Sequence, residues 1–259
     1  YNADFDGDEM NVHFPQNEEA QAEAEILMQV QNQVLSPRHG NPIIQLELDQ
    51  ITGVYLITQP DVAIPREDAC DILSAADITA DINKKTVTGS EVYSFLLPEK
   101  MSLEEKNGQG EKVVIKNGKL KQGAVDSKVG RKIIKAIFTD FGADEARKYI
   151  DGTSKASTRF MTKYGFSLGL EEYDIPEQAK KEINELYEQG RKELKSLVKD
   201  LAKGRLKQLP GKTVRETFEE KAMTILDNVR RLTWGIIKKY LNTPPVNIAG
   251  SPVNQNSAI

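Results

Sequence analysis

Two long stretches in the last third of the chain repeat apolar residues every three or four positions. In the first, which begins after Pro176, the series is Ala179, Ile183, Leu186, Gly190, Leu194, Leu197 and Leu201. In the second, from about Thr213, it is Phe218, Ala222, Ile225, Val229, Leu232, Ile236 and Tyr240. Such spacing puts each series on one side of an α-helix, with charged residues on the other. The break between them, Lys203 to Gly211, is short, so helices over about 176–203 and 213–242 are expected to fold back antiparallel and bury their stripes on each other. Gly190 lets the two backbones approach closely. The outward side of the first helix then carries Lys180, Lys181, Arg191, Lys192 and Lys195, a basic face open to a partner. Trp234 reads as packed, and Pro244, Pro245, Gly250 and Pro252 cannot continue the second helix.

Earlier in the chain the pattern is shorter in period and length. Asn17 reads as a helix cap, with Glu18 and Glu19 in the first turn where the helix dipole favours acids. The stripe Ala22, Ile26, Leu27, Val30 and Val34 predicts a helix that runs until just before Ser36-Pro37. The Pro- and Gly-containing stretch 35–42 reads as a loop, and Arg38 and His39 within it as a solvated basic pair. Helices are expected at Arg66 to Ala76 after a proline start and at about Ser90 to Leu97, joined by a polar turn-rich segment, Asp81 to Gly89. Asn117-Gly118 between β-formers predicts a hairpin over Val113 to Leu120. Two helices follow, about Lys132 to Phe141 and Asp144 to Tyr164. The fold class is α+β and mainly helical.

Composition adds limits. At 259 residues, with 39% hydrophobic and 29% charged residues, the chain has the make-up of a globular protein of one large or two modest domains. A formal net charge of −4 argues against wrapping nucleic acid by bulk electrostatics, so any such contact is local. The single cysteine, Cys70, excludes an internal disulfide and fits a reducing compartment. No apolar run approaches the roughly 20 residues of a membrane span.

The chemistry concentrates in the first sixteen residues, YNADFDGDEMNVHFPQ, where Asp4, Asp6 and Asp8 alternate around Gly7. Carboxylates this close repel one another unless a cation neutralises them. Mg²⁺ is the natural candidate, because it takes oxygen ligands and keeps positions open for water or substrate phosphate. An EF-hand calcium loop also begins D-x-D-x-D, but its glycine would fall on Glu9 and its bidentate glutamate on Pro15. A solvated acidic turn accounts for a bare D-x-D, and a two-aspartate transferase of another kind accounts for Asp4 and Asp6 but leaves Asn2, Asp8, Met10, Asn11 and His13 unexplained.

The string N-A-D-F-D-G-D-E-M-N-V-H-F-P resembles the active-site loop of the largest subunit of multisubunit DNA-directed RNA polymerases. The resemblance continues in L-S-P-R-H-G-N-P-I-I over 35–44, in D-Q-I-T-G-V-Y-L-I-T over 49–58, and in G-F-S-L-G-L-E-E over 165–172. The last element resembles the G-F-S-x-G-x-D-D of archaeal and eukaryotic enzymes, with glutamate at both acidic positions. It excludes the bacterial pattern, and the compact loops and lack of large insertions then favour an archaeal-type source, with cytoplasmic placement, or nuclear placement if eukaryotic.

The resemblance implies a role for each matching residue. Asp4, Asp6 and Asp8 correspond to ligands of the Mg²⁺ that activates the RNA 3′ hydroxyl, and Asn2 to a contact with the nucleotide ribose. His13, Pro15 and Gln16 match too, but read as loop-packing residues. The implied reaction is template-directed nucleotidyl transfer from NTPs to an RNA 3′ end by two Mg²⁺ ions. The implied division is the end of the active-site domain at 1–16, a small pore domain at 17–164, and a funnel at 165–259 that contains the helical hairpin. Implied partners are the second-largest subunit and other polymerase subunits, the DNA template and RNA transcript, and a transcript-cleavage factor at the funnel, with no membrane. The chain reads as a segment of a longer polypeptide, expected to be inactive alone. The alternative is a non-catalytic helical scaffold or interaction segment whose acidic loop is incidental.

Overall fold

The computed structural model describes residue 3 and residues 5–108, 110–167 and 175–240. The fold is mainly helical α+β. In chain order the elements are α1 (Glu18–Leu27), α2 (Asp49–Ile57), β1 (Ala63–Pro65), α3 (Arg66–Ala75), β2 (Thr86–Thr88), α4 (Gly89–Ser94), β3 (Leu103–Lys106), β4 (Lys112–Lys116), β5 (Lys119–Gln122), α5 (Ser127–Phe141), α6 (Ala143–Tyr164), α7 (Glu177–Ala202) and α8 (Val214–Tyr240).

Helix α6 is the hub of the first part, packing on α2, α3 and α5. Its inward side is Ala146, Tyr149, Gly152, Thr153, Ala156, Ser157 and Phe160. Small residues there let neighbouring helices come close: a Cβ on Gly53 of α2 would stand 2.9 Å from Ser157 Cβ and 3.0 Å from Met161 Cγ. Ile72, Leu73, Ile115, Ile133, Ile134 and Ile137 fill the centre and are almost fully buried. Each such side chain contributes about 1.5–3 kcal/mol relative to its exposed state. Within this core the Tyr93 and Tyr149 hydroxyls share a 2.6 Å hydrogen bond, and burial pushes Tyr149 up to about 12.

Two small antiparallel sheets brace the helices. One is the pair β1–β2, and the other has the order β3–β4–β5. The β4–β5 turn is the expected Asn-Gly hairpin, with Lys116 opposite Lys119 and positive φ at Asn117 (48°) and Gly118 (68°). Both central residues are left-handed, as a type I′ turn requires. Strands β1, β2 and β3 do not follow from the sequence pattern, being only three or four residues long, too short to show a period of two.

Helix α1 differs from its expectation. It stops at Leu27 and buries none of its residues. Asn32 and Gln33 fold back in a 3₁₀ turn over Val30–Gln33, and their side-chain amides donate to the carbonyls of Ile26 (3.0 Å) and Leu27 (2.7 Å). The last carbonyls of the helix are thereby satisfied without continuing it. Of the expected stripe only Val34 is buried, while Ile26, Leu27 and Val30 are exposed. Helix α5 begins five residues earlier than expected, at Ser127, because Asp126 caps it by accepting from Val129 N at 2.8 Å.

Helices α3 and α6 are also stitched by charge. Arg159 donates to both carboxylate oxygens of Asp71 (2.8 and 3.1 Å), and Lys163 reaches Asp68 (2.6 Å) and Asp71 (3.0 Å). The Arg159 hydrogen bond, and then that of Lys163, hold Asp71 at about 2, and Lys163 also holds Asp68 below its ordinary value. Because both folded values lie below those of the unfolded chain, the cluster stabilises the fold above about pH 4 and loses this effect as pH falls toward 2. The melting temperature is therefore expected to fall more steeply between about pH 4.5 and 2 for the native chain than for Asp71→Asn. Parallel melting curves across that range would show that the cluster does not carry the acid sensitivity.

Candidate functional site

The acidic loop lies on a turn over Phe5–Gly7, and the chain then has no regular secondary structure up to the bend at Asn17. Gly7 has φ 118°, in the region that favours glycine, and nothing lies within 4 Å of where a Cβ would stand. Asp6 and Asp8, on either side of it, are both exposed, as is Glu9. Asn2 and Asp4 lie outside the described residues. Among the described residues no group of three or more His, Cys, Asp and Glu side chains could hold a metal, and that set does not contain Asp4. In donor chemistry the loop fits a hard divalent cation: the groups it offers are carboxylate oxygens, and the Asp6 and Asp8 that carry them are exposed on either side of Gly7.

The residues around the loop are open. Phe5, Val12 and Phe14 are exposed, Phe14 by 88%. His13 and Gln16 are exposed as well, which corrects their reading as packed residues. The Pro15 carbonyl accepts from Gln21 Nε2 at 3.1 Å, and Asn17 Oδ1 accepts from Ala20 N at 2.8 Å, so the loop is tied into the first turn of α1.

The other motif stretches have local structural work. In 35–44 the chain doubles back: Gly40 N donates to Ser36 O (2.7 Å), Ser36 N to Asn41 O (2.8 Å) and Ile43 N to Val34 O (2.7 Å), with Gly40 at φ 58°. Arg38 and His39 stand exposed on this loop. In 49–58, Gly53 permits the α2–α6 approach described above and Tyr55 is buried. Thr58 Oγ1 donates to Val54 O (2.8 Å) and accepts from Val125 N (2.9 Å), which fixes the strand-to-helix link ahead of α5. Thr58 closes the 49–58 element, whereas Asp126 escapes a motif reading, although an aspartate before Ser127 is an ordinary helix-start signal. Of the 165–172 element only Gly165, Phe166 and Ser167 are described, so Glu171 and Glu172 lie outside the described residues.

The hairpin forms as the periodicity predicts. Helices α7 and α8 pack on each other, and a Cβ on Gly190 would meet Val229 Cγ2 at 2.6 Å. Ala179, Ile183 and Gly190 are buried on α7. On α8 the seam shifts toward its end: Thr233 and Ile237 are buried and Leu232 is exposed. Trp234 packs beside Ile183 and Ile237, separate from the main core. On the outward face of α7, Lys180 pairs with Glu177 and Arg191 with Glu188, each at 2.9 Å and one turn apart. That basic face is therefore partly neutralised by its own helix.

Comparison with known proteins agrees with this picture. The family model described as RNA polymerase Rpb1, domain 3, matches residues 33–173, and RNA polymerase Rpb1, domain 2, matches residues 1–30. The chain is similar to DNA-directed RNA polymerase subunit Rpo1N of Methanococcus vannielii, 34% identical over 93% of this chain and 30% of that protein. It is similar to the Rpo1N subunit of Halobacterium salinarum, 38% identical over 89% of this chain and 25% of the relative. It is similar, too, to that of Thermococcus celer, 33% identical over 93% of this chain and 31% of the relative. The chain thus spans about 30% of the length of such relatives. With more than half of its residues matched by the domain 3 model alone, the chain belongs to the RNA polymerase Rpb1 family, on its archaeal-type side.

Proposed function

We propose that the chain is the part of a polymerase largest subunit that carries the metal loop, the pore (17–164) and the funnel (165–259), and that in the assembled enzyme it serves template-directed RNA synthesis from NTPs. The observation that carries this reading is the acidic loop: Asp6 and Asp8 flank a positive-φ glycine on an exposed turn, within the stretch 1–30 that the Rpb1 domain 2 model matches. Asp4, Asp6 and Asp8 are the residues that would hold Mg²⁺, and Asn2 the one that would touch the nucleotide ribose. A bound Mg²⁺ supplies charge stabilisation for the attacking and leaving oxygens. The chain's own contribution is to present carboxylates on one short loop that turns at Gly7. The domains rest on the α3–α6 and α7–α8 packing, with the hairpin offered outward to an accessory protein such as a transcript-cleavage factor.

Alone, the chain is expected to bind Mg²⁺ weakly and to make no RNA. Phe5, Val12 and Phe14 are exposed, so no described part of this chain covers the apolar side chains of the loop, and binding energy would be spent on ordering it. The test is a chimera in which this chain replaces the matching segment of an Rpo1N relative. The assembled polymerase is expected to make RNA that depends on both template and Mg²⁺, and the isolated chain is not. An assembled chimera without synthesis, or synthesis by the isolated chain, would overturn the reading.

A further inference from the structure

Two hydrogen bonds meet where the acidic loop enters α1. Asn17 Oδ1 accepts from Ala20 N (2.8 Å), which closes the first turn of the helix. Gln21 Nε2 donates to the Pro15 carbonyl (3.1 Å), which reaches back past the cap into the loop. Gln16 stands one residue before the Asn17 cap and Gln21 four residues after it. Helix entries often fix the angle of the incoming chain by packing an apolar pair at those two positions. Here both are glutamine, so the angle is held by the Gln21 amide on a main-chain oxygen. Proline stiffens the hold: its ring fixes the φ of Pro15 and keeps Phe14 out of the helical region. The set of the Pro15 carbonyl therefore carries the direction of Phe14, and with it the course of the chain back toward Asp8. Apolar packing among the described residues does not supply that direction, because Phe5, Val12 and Phe14 are exposed. Gln21 is exposed too, yet its side chain gives up rotamer freedom for this one bond.

We propose that Gln21 is a positioning residue for the metal loop: it sets the entry of the loop into α1, so that the aspartates are partly ordered before Mg²⁺ arrives. The proposal rests on the metal reading of Asp4, Asp6 and Asp8, and adds to it a residue outside the sixteen-residue motif that acts through the backbone. A loop that orders only on binding spends part of the binding energy on its own ordering. Loss of the Gln21 bond is therefore expected to raise the Mg²⁺ requirement more than it lowers the rate at saturating Mg²⁺. Two substitutions isolate the bond. Methionine and arginine match glutamine in helix propensity, so α1 keeps its stability in both. Methionine has no donor, whereas the arginine guanidinium offers N–H groups to the same carbonyl.

The first measurement is single-nucleotide extension by polymerase assembled with the chimera, titrated with Mg²⁺. Gln21→Met is expected to raise the Mg²⁺ concentration for half-maximal rate about threefold to tenfold, the range that one hydrogen bond covers. Most of the maximal rate should return at saturating Mg²⁺, and Gln21→Arg should restore the native requirement. Asn32→Ala removes the donation to Ile26 O at the other end of α1, so it loosens the helix without touching the loop. It should leave the Mg²⁺ requirement where it is. The second measurement needs no activity: ¹⁵N relaxation of the isolated 259-residue chain. The amide order parameters of Val12, His13 and Phe14 should drop in Gln21→Met and hold in Gln21→Arg, with helix content by circular dichroism the same in all three chains. Unchanged order parameters in Gln21→Met overturn the proposal, because the bond then does not order the loop. So does a Mg²⁺ requirement that is the same in Gln21→Met as in an active native chimera, or that rises equally in Asn32→Ala. An inactive native chimera sinks the metal reading and this role with it, whereas an active one with an indifferent Gln21→Met sinks this role alone.

Discussion

Asp6→Ala, in an assembled polymerase carrying this chain, is expected to abolish nucleotide addition, while Glu9→Ala leaves it nearly intact. Both residues are exposed acids on the same short loop, and each substitution removes one negative charge. A general electrostatic role would make the two equal. A ligand role makes them unequal, because Asp6 sits between Asp4 and Gly7 at the turn of the motif, whereas Glu9 follows the last aspartate and breaks its every-second-residue spacing. Loss of a carboxylate from the donor set removes transition-state charge stabilisation worth several kcal/mol, on the order of a thousandfold or more in rate. The measurement is single-nucleotide extension of a preformed RNA–DNA scaffold at saturating NTP. The Mg²⁺ dependence should shift for Asp8→Asn and stay put for Glu9→Gln. Equal losses from Asp6→Ala and Glu9→Ala would mean that the aspartates do not act as the distinguishing ligands.

The hairpin and the acidic loop were both visible in the sequence, for opposite reasons. The hairpin announces itself through repetition: seven positions on α7 share one period, and helix pairing has few ways to bury them. The loop announces itself through residue types that are costly to place together, and its assignment needed a family likeness as well as charge. What lay beyond reach has a common cause. Strands β1, β2 and β3 are held by partners distant in the chain, such as Ala63 opposite Thr88 and Leu103 opposite Ile115, and at three or four residues each are too short to show a period. The early end of α1 depends on two amide side chains five and six residues past it, Asn32 and Gln33, which a periodicity argument treats as neutral. Ile26, Leu27 and Val30 do keep the helical spacing of a buried stripe, yet no described part of this chain covers them. Periodicity reports that a face is apolar and is silent on what meets it.

The same blindness holds for glycines, whose roles depend on what stands opposite. Gly89 opens α4 after Thr88, whose side chain accepts from Glu91 N in a capping box. In sequence it looks like an ordinary turn residue. In the fold its N–H donates to Val62 O at 2.9 Å, and a Cβ there would lie 1.8 Å from the carbonyl oxygen of Ile57 and 2.9 Å from its carbon. That neighbour is backbone at the end of α2, held by the helix itself, so it cannot swing aside as a side-chain tip would. Gly89→Ala must therefore push α4 away from α2 or break the Gly89–Val62 hydrogen bond, beside Ile64 and Val92 in the core. The expected cost exceeds the usual 1–3 kcal/mol of an overpacked site and reaches about 4 kcal/mol or more. Gly130, inside α5, is the matched control. Nothing lies within 4 Å of its Cβ position and its φ is not in the left-handed region, so Gly130→Ala should stabilise by about 0.5–1 kcal/mol through helix propensity and reduced unfolded-state freedom. Both substitutions add one methyl group and both lie in the same packed unit, so urea unfolding followed by circular dichroism compares them directly. Opposite signs are the expected result. A Gly89→Ala variant with an unchanged midpoint would show that α4 can move off Ile57 at no cost, and that the close approach of these two helices does not hold the pore region together.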